Sequence, residues 1–222
     1  MVFKMNTAVL FDMDGTILDT EPIYTRAEIR LFLEYGVTIP KEDWSLYRGC
    51  SEDDFYTLSM KRYNIKEARN IFIAKGRNYV RKEFESGLSF MPGFHSMISR
   101  VKEKHKIGLV TASPKKHVNW LCTIIELNKI FKHIICGGST ERNKPYPDPY
   151  IKMMEILSVK PKNTIIVEDS INGLRSAIDS GAHVIAKTGS VKNEDLTIAH
   201  HIISSLNEIN ENLINDLLQT PI

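Results

Sequence analysis

Short runs of apolar residues recur along the chain at lengths that are typical of β-strands. They cover residues 7–11, 107–110, 134–136, 164–167, 183–186 and 201–203. From residue 90 onward, segments with helical periodicity lie between these runs, at residues 94–103, 115–127, 148–157 and 171–180. Strands that alternate with helices indicate a parallel sheet with right-handed crossovers, and nearly continuous apolar strands suit a sheet covered on both faces. The pattern predicts an α/β fold with a Rossmann-like parallel sheet flanked by helices.

The pattern changes between residues 20 and 88, where every segment has helical spacing. Helices are predicted at residues 23–35, 52–63 and 67–84, with no convincing strand among them. We interpret residues 20–88 as an all-helical domain inserted after the first strand, into an α/β core formed by residues 1–19 and 89–222. The expected hinges are residues 16–20 and 86–92, and the second of these is rich in Ser, Gly and Pro.

The composition excludes several classes of protein. The hydrophobic content of 42% and the charged content of 25% are ordinary for a globular chain. The net charge of +2 is too small to indicate a nucleic-acid partner. The three cysteines, Cys50, Cys122 and Cys136, lie far apart, which favours free thiols in a reducing compartment. No stretch has the length and apolar character of a membrane span or a secretory leader. We therefore expect a cytoplasmic protein with no membrane or obligatory protein partner.

Chemically informative side chains follow four of the predicted strands. They are Asp12 and Asp14, then Thr111, Ala112 and Ser113, then Lys144, and finally Glu168, Asp169 and Ser170. Each group alone has a structural explanation, as a helix cap, a dipole partner or a surface charge. However, ligands of open parallel sheets bind beyond the carboxyl ends of the strands. Two carboxylates at ~4 Å also repel each other by about 4 kcal/mol at an effective dielectric of ~20. Four such groups in series therefore predict a functional site.

These motifs resemble those of the haloacid dehalogenase superfamily over nearly the whole chain. The first motif is Asp12-Met13-Asp14-Gly15-Thr16, the lysine stands in "NKPYPDP", and the acidic motif is "VEDSINGLRSAIDSGA". The acidic motif and "DTEP" resemble the subgroup that contains sugar-phosphate phosphatases and β-phosphoglucomutase. In that subgroup the inserted helical domain is a mobile cap, so the resemblance implies that residues 20–88 form one.

The resemblance also implies a role for each residue of the core motifs. Asp12 attacks phosphorus and forms an aspartyl-phosphate, and Asp14 is the general acid and base. Lys144 neutralises Asp12 and a phosphoryl oxygen, while Thr111 and backbone N–H groups at the start of the next helix hold the remaining oxygens. Gly15, Ala112 and Ser113 are assigned to substrate binding. The sequence Ser113-Pro114 also predicts a serine N-cap followed by proline at the first helical position.

Clustered acids that share a site with a phosphate favour a divalent cation with hard oxygen ligands, which points to Mg²⁺. The family pattern assigns this ion to the Asp12 side chain, the Asp14 backbone carbonyl and Asp169, with Glu168 nearby or ligating through water.

In the helical insertion, "YRGCSEDDF" resembles the substrate-specificity loop of the family. The candidates for substrate binding there are Arg48, Gly49, Ser51, Lys75 and Glu21.

We interpret the chain as a Mg²⁺-dependent phosphatase that acts on a small phosphorylated metabolite, a sugar or polyol phosphate. The alternative is a phosphosugar mutase, which needs a cation in the cap for the distal phosphate of its bisphosphate intermediate. In β-phosphoglucomutases an arginine follows the serine of the cap loop, whereas here Glu52, Asp53 and Asp54 follow Ser51. Arg48 or Lys75 could replace that arginine. A binding protein without activity is disfavoured because it would be expected to have lost one of the four groups.

Overall fold

The computed structural model describes residues 6–47 and 52–221, apart from the side chain of Ser45. The chain divides into two compact units. One comprises Met1–Leu18 with Ser89–Ile222, and the other comprises Asp19–Leu88. In the described part of the chain, no helix combines the length and the apolar character needed to cross a bilayer.

The second unit is helical and has its own core. Its helices are α1 (Glu21–Leu33), α2 (Trp44–Tyr47), α3 (Glu52–Arg62) and α4 (Arg69–Gly87). The Phe32 ring lies at the centre of this core and makes edge contacts with Phe55 and Phe72 at centroid distances of 6.1 and 6.2 Å. A side chain on Gly76 of α4 would stand 2.2 Å from the Tyr56 hydroxyl, so this glycine permits α3 to pack closely. Aromatic packing thus stabilises the unit from within.

Within the residues that the structure describes, the first unit contains a parallel sheet of six strands. They are β1 (Ala8–Phe11), β2 (Lys106–Pro114), β3 (Ile134–Gly137), β4 (Thr164–Glu168), β5 (His183–Lys187) and β6 (His201–Ile203). The strand order is β3-β2-β1-β4-β5-β6, and all pairs are parallel. This is the doubly wound order of Rossmann-like folds, in which the topological switch point lies beside β1. The predicted fold class is confirmed.

Helices cover both faces of the sheet. They are α5 (Phe94–Lys104), α6 (Lys115–Ile125), α7 (Leu127–Ile130), α8 (Asp148–Leu157), α9 (Ile171–Asp179) and α10 (Glu211–Gln219). Leu10 of β1 lies in one buried cluster with Met153 of α8 and Leu174 of α9. Phe11 belongs to the opposite face, where its ring meets Phe131 at 6.1 Å.

The structure corrects two helix predictions. The predicted helix at 115–127 is two helices, because Glu126 has a left-handed backbone with φ of 52° that ends α6. The proposed serine cap of α6 is wrong, because Pro114 occupies the N-cap position and the Ser113 side chain makes another contact. The strand predicted at residues 107–110 is longer in the structure, where β2 continues as far as Pro114. This extension places Thr111 and Ser113 within the strand.

Candidate active site

The first acidic motif forms a tight turn at the end of β1. The Asp12 N–H donates to the Val167 carbonyl at 3.0 Å, so the pairing with β4 continues as far as the first aspartate. Gly15 has φ of 77°, a conformation that favours glycine. A side chain on Gly15 would also stand 2.1 Å from Asp169 Oδ2. The glycine therefore permits both the turn and the close approach of an acid from β4.

Lys144 joins the acids at the ends of β1 and β4. Its Nζ donates to Asp12 Oδ1 at 2.6 Å, to Glu168 Oε1 at 2.5 Å and to the Val110 carbonyl at 2.9 Å. The lysine side chain is only 4% exposed. Burial lowers the pKa of Lys144, but the attraction of Asp12 and Glu168 outweighs burial, so the net shift is upward. The neighbouring carboxylates therefore favour the charged form of this buried lysine.

Glu168 is held by protein donors at both carboxylate oxygens. Oε1 accepts hydrogen bonds from Lys144 and, at 2.7 Å, from the Tyr150 hydroxyl. Oε2 accepts from the Asp169 N–H at 3.1 Å and from the Ser170 hydroxyl at 3.2 Å. A side chain on Gly173 would stand 2.0 Å from the carboxylate, so the absence of one lets Glu168 lie against the start of α9. Glu168 therefore fixes the position of Lys144.

Asp169 faces a different set of groups. The Thr16 hydroxyl donates to its Oδ1 at 2.8 Å, and the Ser190 hydroxyl donates to its Oδ2. Carboxylate oxygens of Asp12, Glu168 and Asp169 all lie within 4.8 Å of one another, and all three residues are buried. The four residues Asp12, Glu168, Asp169 and Lys144 carry three negative charges against one positive charge when all are ionised.

The acid pKa values reflect this imbalance. Burial raises the pKa of Asp12 well above its usual value, against the opposing effect of Lys144, and the charges of Glu168 and Asp169 raise it further. Burial and the charge of Glu168 raise the pKa of Asp169 to about 7. A divalent cation would stabilise the ionised forms, and buried carboxylates at this spacing fit hard cations such as Mg²⁺. The residues present therefore fit such an ion.

The end of β2 supplies hydroxyl groups. Thr111 is buried, and its Oγ1 accepts a hydrogen bond from the Ser113 N–H at 3.0 Å. The Ser113 hydroxyl donates to Asp14 Oδ2 at 2.8 Å. Ala112, between them, is exposed. Near the start of α6, His117 is close enough for the charge of Asp14 to oppose the lowering of the His117 pKa by burial.

Of the candidates in the helical unit, Lys75 has partners within that unit. Lys75 Nζ lies 3.2 Å from Glu34 and 3.4 Å from Glu67, and 4.9 Å from the centroid of the Tyr35 ring. Glu21 begins α1. Arg48, Gly49 and Ser51 lie outside the described residues. The substrate roles of these five residues stay predictions, and the two carboxylates beside Lys75 argue for a role in packing the helices.

Sequence reasoning assigned no role to three residues that contact the acids. Tyr150 stands six residues after Lys144 in "NKPYPDPY", and this proximity to the lysine is the sequence signal that points to it. Ser170 directly follows the acidic pair. Ser190 lies 21 residues beyond Asp169 in a loop with no motif, and only the parallel order of β4 and β5 brings it near.

The chain is similar to known proteins over most of its length. Residues 9–187 match the family described as haloacid dehalogenase-like hydrolase. The phosphorylated carbohydrates phosphatase of Thermotoga maritima is 29% identical over 175 residues, 78% of this chain and 81% of that protein. The 6-phosphogluconate phosphatase of Escherichia coli is 26% identical over 179 residues, 80% of each chain. The crystal structure of a β-phosphoglucomutase from Clostridium difficile shares the fold, with a TM-score of 0.74, 24% identity and coverage of 96% of this chain and 97% of that one.

Proposed function

Because the chain belongs to the haloacid dehalogenase-like hydrolase family, we propose that it is a phosphatase that hydrolyses a small phosphorylated carbohydrate, either a sugar phosphate or a polyol phosphate. The observation that carries the proposal is the buried Asp12 carboxylate, held by Lys144 at the edge of the sheet where ligands of such folds bind. Relatives named as phosphatases of phosphorylated carbohydrates support the substrate class.

Asp12 is the nucleophile in this proposal. One of its oxygens attacks phosphorus, the bond between phosphorus and the leaving oxygen breaks, and Asp14 donates a proton to that oxygen. In the second step Asp14 accepts a proton from a water molecule, the water oxygen attacks phosphorus, and the Asp12 carboxylate is released. Splitting the reaction in this way helps because the uncatalysed hydrolysis of phosphate monoesters is among the slowest reactions, with rate enhancements up to ~10²¹.

Ser113 and Lys144 support the two aspartates. The Ser113 hydroxyl holds one oxygen of Asp14, which fixes the proton donor beside the end of β1. Lys144 keeps its charge throughout the neutral pH range and offsets the negative charge that gathers on Asp12 and the phosphoryl group. Thr111 and the N–H groups that open α6 are proposed to bind the phosphoryl oxygens.

Mg²⁺ is the proposed cofactor. When bound, it supplies charge neutralisation and a fixed orientation of the phosphoryl group. Asp12 and Asp169 are the proposed side-chain ligands, together with the Asp14 backbone carbonyl. Since each oxygen of Glu168 already accepts at least two hydrogen bonds from the protein, whereas each oxygen of Asp169 accepts one, contact between Glu168 and the ion through water fits better than direct ligation.

A phosphosugar mutase is the second candidate, and one observation favours keeping it. Glu52 pairs with Arg77 through two hydrogen bonds of 2.8 Å, and Asp53 pairs with Arg69 at 2.6 Å. The acids after the cap loop are therefore partly neutralised, and they repel a distal phosphate less than the sequence alone suggests.

The test is a screen of phosphorylated carbohydrates for released inorganic phosphate, with Mg²⁺ and then with EDTA. We expect turnover of at least one sugar or polyol phosphate, its loss with EDTA and its loss in Asp12→Asn. Incubation with β-glucose 1-phosphate and a catalytic amount of its bisphosphate tests the alternative. Rapid conversion to glucose 6-phosphate without phosphate release would identify a mutase. Full turnover in the presence of EDTA would refute the proposed cofactor.

A further inference from the structure

We propose that Ser190, in the loop that follows β5, is a positioning residue that holds Asp169 in the orientation in which Asp169 binds the metal ion. The proposal rests on the Mg²⁺ site proposed above and adds to it a residue from the loop that follows β5. None of the four groups recognised in the sequence includes this loop.

The first argument is the pair of hydroxyl donors on Asp169. The Ser190 hydroxyl donates to Oδ2, and the Thr16 hydroxyl donates to Oδ1 at 2.8 Å. With a donor at each oxygen, rotation of the carboxylate about its terminal bond would break one hydrogen bond or both. Hydrogen bonds to an ionised group are stronger than those between neutral groups. The two hydroxyls therefore fix the plane of the carboxylate while each oxygen keeps a lone pair for a ligand.

The second argument is the close packing around this contact. A Cβ atom on Gly15 would stand 2.1 Å from Asp169 Oδ2 and 2.7 Å from Ser190 Oγ. Gly15 thus leaves room for both the acid and the serine at the turn that follows β1. The loop itself contains Gly189 with φ of 128°, a backbone conformation that L side chains rarely adopt. The path of the loop and the space beside Gly15 together direct the serine to this acid.

The third argument is the repulsion that Asp169 experiences. Oxygens of Asp12 and Glu168 lie within 4.8 Å of an Asp169 oxygen, so like charges push the Asp169 carboxylate away from the other two acids. Thr16 alone anchors only one oxygen. The Ser190 hydroxyl anchors the other oxygen and so opposes the displacement. Partners of this kind commonly change metal affinity by about 10–100-fold when they are removed.

The experiment measures Mg²⁺ affinity by isothermal titration calorimetry in the full chain. Ser190→Ala is expected to weaken Mg²⁺ binding by about 10–100-fold. Ser190→Thr keeps the hydroxyl and is expected to bind within about threefold of the wild type. Ser190→Cys keeps the size but offers only a weak donor, and it should fall between the two. Ser204→Ala is the matched control, because that serine also donates to a carboxylate, Glu208 Oε1 at 2.8 Å, in a loop that follows a strand.

Phosphatase kinetics separate positioning from damage to the fold. In Ser190→Ala the concentration of Mg²⁺ for half-maximal activity should rise in step with the dissociation constant, while kcat at saturating Mg²⁺ recovers to near the wild-type value. A kcat that stays low at saturating Mg²⁺ would indicate general damage and would overturn the proposal.

The outcomes also distinguish this inference from the proposed function. Wild-type protein that binds no Mg²⁺ would overturn both. If the wild type binds the ion and Asp169→Asn does not, the proposed site stands. Ser190→Ala or Ser190→Cys with wild-type affinity would then refute the role of Ser190 alone.

Discussion

The replacement of Lys144 by methionine tests the electrostatics of the site directly. Lys144 pairs with two buried acids, Asp12 and Glu168, and its own side chain is 4% exposed. Methionine has a similar length and an apolar stem, so Lys144→Met removes the charge and the three hydrogen bonds with little change in volume. The acids Asp12 and Glu168 then lose the partner that holds them.

The expected cost follows from the geometry. At an effective dielectric of ~20, each contact of Lys144, 2.6 Å to Asp12 and 2.5 Å to Glu168, has a gross attraction of about 6 kcal/mol. Desolvation of the ions cancels much of this attraction. Breaking a buried ion pair by removing one partner nevertheless costs about 3–5 kcal/mol, because the remaining charge is buried without compensation. We expect Lys144→Met to lower the free energy of unfolding by that amount near neutral pH.

The destabilisation should depend on pH with a definite sign. Burial already raises the pKa of Asp12, and loss of Lys144 raises it further. A carboxyl group whose pKa is higher in the folded state contributes stability below its unfolded pKa and loses it as pH rises through its folded pKa. The difference between wild type and Lys144→Met should therefore be smaller near pH 5 than near pH 8.

Urea denaturation at both pH values, without Mg²⁺, measures these differences. Lys152→Met is the matched control on α8, since Lys152 makes only an exposed pair with Glu155 at 3.3 Å and should cost less than about 1 kcal/mol. Equal destabilisation by the two variants, or a Lys144→Met effect that does not change with pH, would refute the reasoning.

Three further predictions concern the acids and their glycine neighbour. Asp12→Asn should lower turnover by at least about 1000-fold and abolish the phosphoenzyme seen by acid quench and mass spectrometry; a fully active variant would end the assignment of the nucleophile. Mg²⁺ should raise the melting temperature more near pH 8 than near pH 5, because the pKa of Asp169 is raised to about 7 and the ion binds the ionised form. Calorimetry in two buffers should detect proton release on Mg²⁺ binding. An equal rise in melting temperature at both pH values would contradict the prediction. Gly15→Ala should destabilise the fold by more than about 1–2 kcal/mol and weaken Mg²⁺ binding, because the new Cβ would stand 2.1 Å from Asp169 Oδ2. Gly36→Ala is its control, with φ of 68° and nothing within 4 Å, and should show only the backbone cost in urea denaturation and unchanged affinity for Mg²⁺.

The sheet was predictable because its signals are local. Each strand is an apolar run, and the polar residues that follow β1 and β4 stand directly at the strand ends. The extension of β2 to Pro114 was not predictable in this way. Thr111 and Ser113 are polar, and a polar segment at the end of a strand has the same sequence pattern as a loop. The break at Glu126 was also hidden, because a non-glycine residue with positive φ carries no sequence signal.

Contacts between residues that are far apart in the chain could not be predicted from the sequence. Lys144 could be assigned only through a resemblance, and its two acid partners lie at the ends of β1 and β4. Tyr150 and Ser190 carry no motif of their own. They meet Glu168 and Asp169 because α8 packs near β1 and because β5 pairs with β4. Such contacts are set by the order of the strands, which local periodicity does not encode.

The two adjacent acids at the end of β4 have separate partners, and two glycines permit the separation. Glu168 lies where a Gly173 side chain would be, 2.0 Å from its position, and accepts hydrogen bonds from Lys144 and Tyr150. Asp169 lies where a Gly15 side chain would be, and accepts hydrogen bonds from two hydroxyls. Successive residues of an extended chain point in opposite directions, so one acid can hold the lysine while the other remains available to a cation. In the sequence, this pair is a single acidic motif. In the folded protein, Glu168 orients Lys144, whereas Asp169 is suited to bind the ion.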